Sequence, residues 1–420
     1  MDWILDNIMK NKPIKKELVV ICDFGASLNF THHYQFIAST FNFIIRNYPN
    51  SKITILIPIA SQINQNDNLS TGHIKRILLP ITYFSFTNLN SFKTWITFIW
   101  RNLVNSIFKF NQGLCLLLSI INALLYIVFA KVHLIIFPTA CPQSIRLVEL
   151  LEFFHIRVSA HLHFSNTSEI RHPFGSSDNV YEFLSRSSNF KYVRLAVSFE
   201  SEANFKLYSN LNLKQNFFFA RIPSYNDLNF QKSEYSTHRV TETLDVLVMG
   251  RPHDTGRSDL IINSLSEITR NTKFIEQSNR THIKIGIVDL NPPEIQIINS
   301  IDKNHIEIYK MYYKINFFEL INFFEVADII VLPYNPSLYS KNHSAMILLA
   351  SDFNVPVITC SGASFSSDVN DFNIGTLFDY EESFSSALLN TITELNSFRF
   401  IQYRQARELE NIKIYDFLGI

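Results

Sequence analysis

A chain of 420 residues has room for two or three domains, each with its own core. Apolar residues make up 47% and charged residues 18%, and 37 Lys plus Arg balance 37 Asp plus Glu. Nucleic-acid binders draw most of their affinity from phosphate neutralisation and carry a basic excess, so zero net charge predicts no nucleic-acid partner.

In chain order, the first half alternates short apolar runs with stretches of helical spacing, the pattern of parallel βαβ units. Met1 to Val20 has no basic segment followed by an apolar one, which predicts no signal peptide and a cytoplasmic protein. Strands are expected at Leu18 to Cys22, Ile53 to Ile57, Ile74 to Leu79, His133 to Phe137, Ile156 to His161 and Val193 to Val197, with a helix over Tyr34 to Arg46. Between Ser91 and Phe110 the polar residues Lys93, Thr97, Arg101, Asn105 and Lys109 recur every fourth position, opposite Phe92, Trp95, Ile96, Ile99, Leu103 and Ile107. All the charges on this amphipathic helix are basic. Two readings fit: a peripheral contact with the inner face of an anionic membrane through 91–110, or a domain helix packed on its own sheet. The uncharged stretch Phe110 to Ala130 runs almost directly into a strand, which predicts a buried helix rather than a membrane span.

Ser224 to Glu242 is polar and without apolar period, and so predicts a linker. The second half restarts with strands at Leu244 to Met249, Ile283 to Val288, Ile306 to Tyr309, Ile329 to Leu332 and Val357 to Thr359, and a helix at Phe317 to Val326. The expected architecture is α/β. An N-terminal Rossmann-like domain (1–225), a linker (226–243) and a C-terminal Rossmann-like domain (244–395) face a central cleft, and a helical segment (396–420) packs back on the first domain. Cys22, Cys115, Cys141 and Cys360 form no CxxC pair and no Cys/His metal spacing, so they are expected to be reduced core residues, with no metal site.

Several segments of the second half carry a more specific pattern. LDVLVMGRPHDTGRSDLIINSL begins at Leu244 and DIIVLPY at Asp328, HSAMILLASDFNVPVITCSG follows from His343, and DFNIGTLF surrounds Gly375. In order and spacing they resemble the C-terminal domain of family 4 GT-B glycosyltransferases. That resemblance implies retaining transfer of a hexosyl unit from a UDP- or GDP-linked sugar, without a cofactor or metal, to a glycan or lipid-linked glycan of cell-surface polysaccharide synthesis. It also implies a donor site made of Arg251, Arg257, Tyr334, Ser344 and Ala345. The physical demand is plain: a diphosphate leaving group gains negative charge, which cations and helix N-termini stabilise. The family's Lys-Gly pair is reversed here as Gly256-Arg257. Its two glutamates, eight residues apart, fall on Lys341 and Leu349, and neither is acidic.

In the first half, DFGASLNFTHHYQFIAST from Asp23 looks like the family's acceptor loop, which implies acceptor contacts from Gly25, Ser27, His33 and Tyr34. A strand-end histidine, His161 or its same-face neighbour His163, is the implied contact to the donor sugar, with His161 preferred as the catalytic residue. Asp23 has two readings, a turn cap or an inverting general base. Two other functions fit the same fold: a non-catalytic partner subunit that binds a glycan or another transferase, and a nucleotide-sugar epimerase.

Overall fold

The computed structural model describes residues 18–23, 31–58, 74–79, 120–140, 142–162, 169–171, 177–211, 213, 216–227, 243–249, 261, 264, 268, 282–288, 296, 306–311, 317–340, 343–379 and 384–419. The chain divides into two compact units. The first comprises Met1–Phe199, Leu207–Phe218 and Ile412–Ile420; the second comprises Glu200–Lys206 and Phe219–Asn411. The basic helix expected over 91–110 and most of the expected linker lie outside the described residues.

In the first unit the strands are β1 (Leu18–Cys22), β2 (Lys52–Pro58), β3 (Ile74–Leu79), β4 (Leu134–Ala140), β5 (Ile156–Leu162), the small antiparallel pair β6 (Glu169–Arg171) and β7 (Ser177–Asn179), β8 (Val193–Phe199) and β9 (Asn216–Phe219). The main sheet has the order β3-β2-β1-β4-β5-β8-β9. Pairing from β3 through β8 is parallel, with Val20 opposite both Thr54 and Ile135. Every residue of β4 is buried, as expected of a central parallel strand covered on both faces. The helix Thr31–Asn47 covers the sheet with Ile37, Phe41 and Ile44, and Arg46 in its last turn complements the helix dipole.

The stretch 110–130 departs from the buried helix expected of it. Its described part is helical over 120–129, and Ile120, Ala123 and Ile127 are buried, but Leu125 is 47% and Phe129 79% exposed. One apolar stripe suffices to cover the sheet, so the opposite stripe faces outward. The helix stops in a Schellman turn: Lys131 takes φ 54°, its N–H donates to Val128 O and that of Val132 to Ile127 O.

In the second unit the strands are β10 (Thr243–Val248), β11 (His282–Val288), β12 (Ile306–Met311), β13 (Ile329–Leu332), β14 (Val357–Cys360) and β15 (Gly375–Phe378). Their order is β12-β11-β10-β13-β14-β15, parallel throughout. The Asp328 carboxylate accepts from the Asp245 N–H at 2.9 Å and the Asp328 N–H donates to Asp245 O at 2.8 Å, which locks the start of β13 against β10. Leu244, Val246, Val248, Ile329, Val331 and Ile358 form one core cluster with Phe378, Phe384 and Leu388. Gly375 is required at its position, because a Cβ there would meet the Val357 backbone, with the Val357 nitrogen at 2.7 Å.

Each sheet reverses its strand order once, between β1 and β4 in the first unit and between β10 and β13 in the second. In open parallel sheets ligands bind outside the carboxyl ends of the strands at such switch points. No described helix is long and apolar enough to cross a membrane.

Candidate functional site

In the first unit the switch point is polar and buried. Asp23 follows the last residue of β1 and Thr139 lies near the end of β4; both side chains are withdrawn from solvent. His33, in the first turn of the helix Thr31–Asn47, places Nδ1 2.9 Å from Asp23 Oδ2, 3.1 Å from Oδ1 and 2.7 Å from Thr139 Oγ1. The Thr139 hydroxyl donates to Asp23 Oδ2 in a very short hydrogen bond. One proton assignment satisfies all of these contacts: Thr139 donates to the carboxylate, and His33 carries its proton on Nδ1 and shares it between Asp23 and the Thr139 oxygen. A carboxylate withdrawn from water needs such donors to remain ionised. Of the two sequence readings of Asp23, the local turn cap is the less informative, since these partners lie 10 and 116 residues away.

Two strands further along, His161 is buried at the end of β5, its Nδ1 2.8 Å from the Oγ of buried Ser198 on β8. Asp23, Thr139, His161 and Ser198 therefore mark the carboxyl ends of four adjacent strands, β1, β4, β5 and β8. Tyr34 points into the core while its neighbour His33 reaches Asp23. Gly25, Ser27 and His163 lie outside the described residues.

In the second unit, Tyr334 follows β13 and stacks on Tyr339 with ring centroids 4.2 Å apart. Ser344 is the N-cap of the helix Ala345–Asp352: its Oγ accepts from the Met346 N–H at 3.3 Å and its hydroxyl lies 3.4 Å from the Tyr334 hydroxyl. The structure thus brings Tyr334, Ser344 and Ala345 together at one helix N-terminus beside the switch point, where free N–H groups favour an anion. Arg251, Arg257 and Lys341 lie outside the described residues. Leu349 is fully buried in that helix.

Two ionic clusters hold this helix and its preceding loop. Arg407 donates to Asp352 from Nη1 at 2.8 Å, and also to Ser351 Oγ and to the carbonyls of Ile222, Pro223 and Leu348. Ser224 and Tyr225, the start of the expected linker, donate to the same Asp352 carboxylate at 2.7 and 3.0 Å. The second cluster centres on Asp368, which accepts from Arg221 at 2.6 and 2.9 Å, from His343 Nε2 at 2.8 Å and from the Tyr403 hydroxyl at 2.8 Å. Burial by itself would raise the Asp368 carboxyl. The hydrogen bonds and charges of His343 and Arg221 outweigh it and hold the group well below the usual carboxylate range. His343 immediately precedes Ser344, so this cluster fixes the entry to the helix.

Thr139, Ser198, Asp352, Asp368 and Arg407 were absent from the sequence-derived site. Asp352 left one trace, as the single charged residue closing the apolar helix AMILLASD. Thr139 left none, because its partners are a whole βαβ span away. Among the described residues no group of three or more His, Cys, Asp or Glu side chains has a metal-holding arrangement.

No protein-family model matches the chain, and a search of curated proteins finds no relative. Solved structures do match over almost the whole length. Sucrose-phosphate synthase from Thermosynechococcus elongatus is 12% identical, with a TM-score of 0.58, over 96% of this chain and 99% of that one. Anabaena HepE in complex with UDP-glucose is 13% identical, with a TM-score of 0.52, over 96% and 98%. A glycosyltransferase from Rickettsia africae is 12% identical, with a TM-score of 0.52, over 96% and 94%. At this identity the likeness is one of fold: the chain has the GT-B fold, with two Rossmann-like α/β units.

Proposed function

We propose that the protein is a glycosyltransferase that moves a hexosyl unit from a UDP- or GDP-linked sugar to a hydroxyl of a glycan or lipid-linked glycan in cell-surface polysaccharide synthesis. The observation that carries this reading is the buried Asp23–His33–Thr139 cluster at the switch point of the first sheet. A fold shared with sucrose-phosphate synthase and with HepE bound to UDP-glucose supports it. Arg251, Arg257 and the capped helix N-terminus at Ser344 would hold the diphosphate, and His161 would face the sugar.

A thermal-shift screen against UDP, GDP, ADP and their sugar conjugates tests the reading, with Arg257→Ala alongside. A ligand at a hundred times its dissociation constant stabilises by about 2.7 kcal/mol, enough to be seen. The expected outcome is a shift with one nucleotide, reduced in Arg257→Ala. No shift with any of them would favour the second reading, a non-catalytic partner subunit. The apolar, buried Leu349, at a position where the resemblance expects a glutamate, is the observation on its side.

A further inference from the structure

We propose that His33 is the general base of the transfer and that the reaction inverts the anomeric centre, against the retaining outcome that the sequence resemblance implies. The proposal rests on the transferase reading above.

Three features of the cluster point this way. First, the tautomer is fixed. With the Nδ1 proton committed to Asp23 and Thr139, Nε2 carries the ring's lone pair and is the atom able to take a proton. Second, the anchor is deep and the imidazole is not: the Asp23 side chain is 0% exposed and that of His33 is 14% exposed. A buried carboxylate behind a ring that reaches the surface stabilises the imidazolium formed when Nε2 is protonated, and holds the ring in one orientation meanwhile. Third, the carboxylate is itself held, by the Thr139 hydroxyl from the neighbouring strand, so the pair is rigid before any substrate arrives. These groups stand at the carboxyl ends of β1 and β4, the place in the sheet where a ligand is expected.

The step balances as a single displacement. His33 Nε2 takes the proton of the acceptor hydroxyl while the acceptor oxygen bonds to the anomeric carbon. The bond from that carbon to the diphosphate oxygen breaks, and its electron pair leaves with the nucleoside diphosphate. The proton remains on the imidazolium, opposite the Asp23 carboxylate, until it passes to water. Attack opposite the leaving group inverts configuration; a front-face retaining route, in which the departing phosphate takes the proton, has no need of a side-chain base. Asp23 and Thr139 are positioning residues in this scheme, and His33 alone touches the reacting atoms.

Two measurements test the proposal on the full chain. The first needs no substrate: long-range proton–nitrogen NMR of histidine-labelled protein, with the His33 signals assigned by their loss in His33→Gln. The neutral ring is expected as the Nδ1–H tautomer, and Asp23→Asn should disturb that preference. A neutral ring protonated on Nε2 in the unaltered protein would overturn the proposal whatever the donor. The second uses UDP-glucose as probe and follows the first-formed product by NMR, with transfer to water as the minimal reaction. A β-configured product is expected, and an α-configured one would overturn the proposal. His33→Gln should lose about 10²- to 10⁴-fold in kcat with KM for UDP-glucose little changed, and a KM effect alone would reduce His33 to a binding residue. Should UDP-glucose neither bind nor react, the transferase reading with that donor falls, while the tautomer still decides the assignment of His33.

Discussion

Arg407 and Asp352 pair at 2.8 Å with neither side chain exposed to solvent. The guanidinium also donates to three carbonyls, so its fork ties the segment Ile222–Pro223 and the helix Ala345–Asp352 to the helix Phe400–Leu418. Removing one partner strands a buried charge. Arg407→Met is therefore expected to lower stability by about 3–5 kcal/mol, measured as the urea midpoint. Adding Asp352→Leu should recover only part of that loss. Ser224 and Tyr225 would then lack their acceptor, and the three carbonyls would still lack their donor.

Asp368 gives the second unit an acid-sensitive joint. Its folded-state affinity for a proton is depressed, because the hydrogen bonds and charges of His343 and Arg221 outweigh burial, while the unfolded chain titrates near the ordinary value of 3.8. In that window the unfolded state binds more protons than the folded one, so stability rises with pH and is lost as pH falls through and below the ordinary value. Glu410, raised by burial against the opposing pull of Arg221, has the contrary sign: its contribution is present below its ordinary value of 4.5 and is lost as pH rises. Unfolding midpoints taken from pH 6 to pH 3 should fall on the acid side, and Asp368→Asn should flatten that fall while lowering stability at pH 6. An unchanged acid slope would remove Asp368 from the explanation.

The strand framework was legible because parallel strands buried on both faces are continuous apolar runs. LVVIC, IIVL and VITC each became a strand with the expected core. NFFF was passed over in a phenylalanine-rich stretch, although it forms β9. The site was legible only where its signal is local. Ser344 as an N-cap follows from a polar residue opening an apolar helix, and a histidine at the end of β5 follows from a strand count. The Asp23–His33–Thr139 cluster is not local: it exists because β1 and β4, more than a hundred residues apart, become neighbours at the sheet's reversal. Similarly, Arg407 carries no signal in the amphipathic C-terminal helix that marks it as the partner of Asp352.

Three turns share one economy. Lys131, Asn354 and Asn373 take φ of 54°, 55° and 49° in Schellman turns that end a helix and feed β4, β14 and β15. Asparagine tolerates this left-handed conformation, whereas lysine has no such compensation. Lys131→Gly relieves about 1 kcal/mol of strain, less a few tenths for the greater freedom of glycine in the unfolded chain. A higher thermal midpoint is expected for Lys131→Gly, and a smaller change for Asn354→Gly. Equal effects at the two sites would mean that Lys131 is not strained.

Ser344 separates the stability of its helix from the binding of an anion there. Its hydroxyl caps the helix by accepting from the Met346 N–H, and it stands beside the Tyr334 hydroxyl at the end of the loop after β13. Replacing a serine cap by alanine costs about 1 kcal/mol, but replacing it by glycine costs only a few tenths, because glycine adopts the cap conformation and leaves the N–H groups open to water. Ser344→Gly should therefore keep the urea midpoint close to that of the unaltered protein, and Ser344→Ala should lower it. Nucleotide affinity should order differently. If the hydroxyl also reaches a phosphate oxygen, both variants lose one charge-assisted bond, about 1.5–3 kcal/mol, or roughly 10- to 100-fold in the dissociation constant of UDP by calorimetry. Full UDP affinity in Ser344→Gly would mean that the helix N–H groups alone receive the anion, with the serine serving only as a cap.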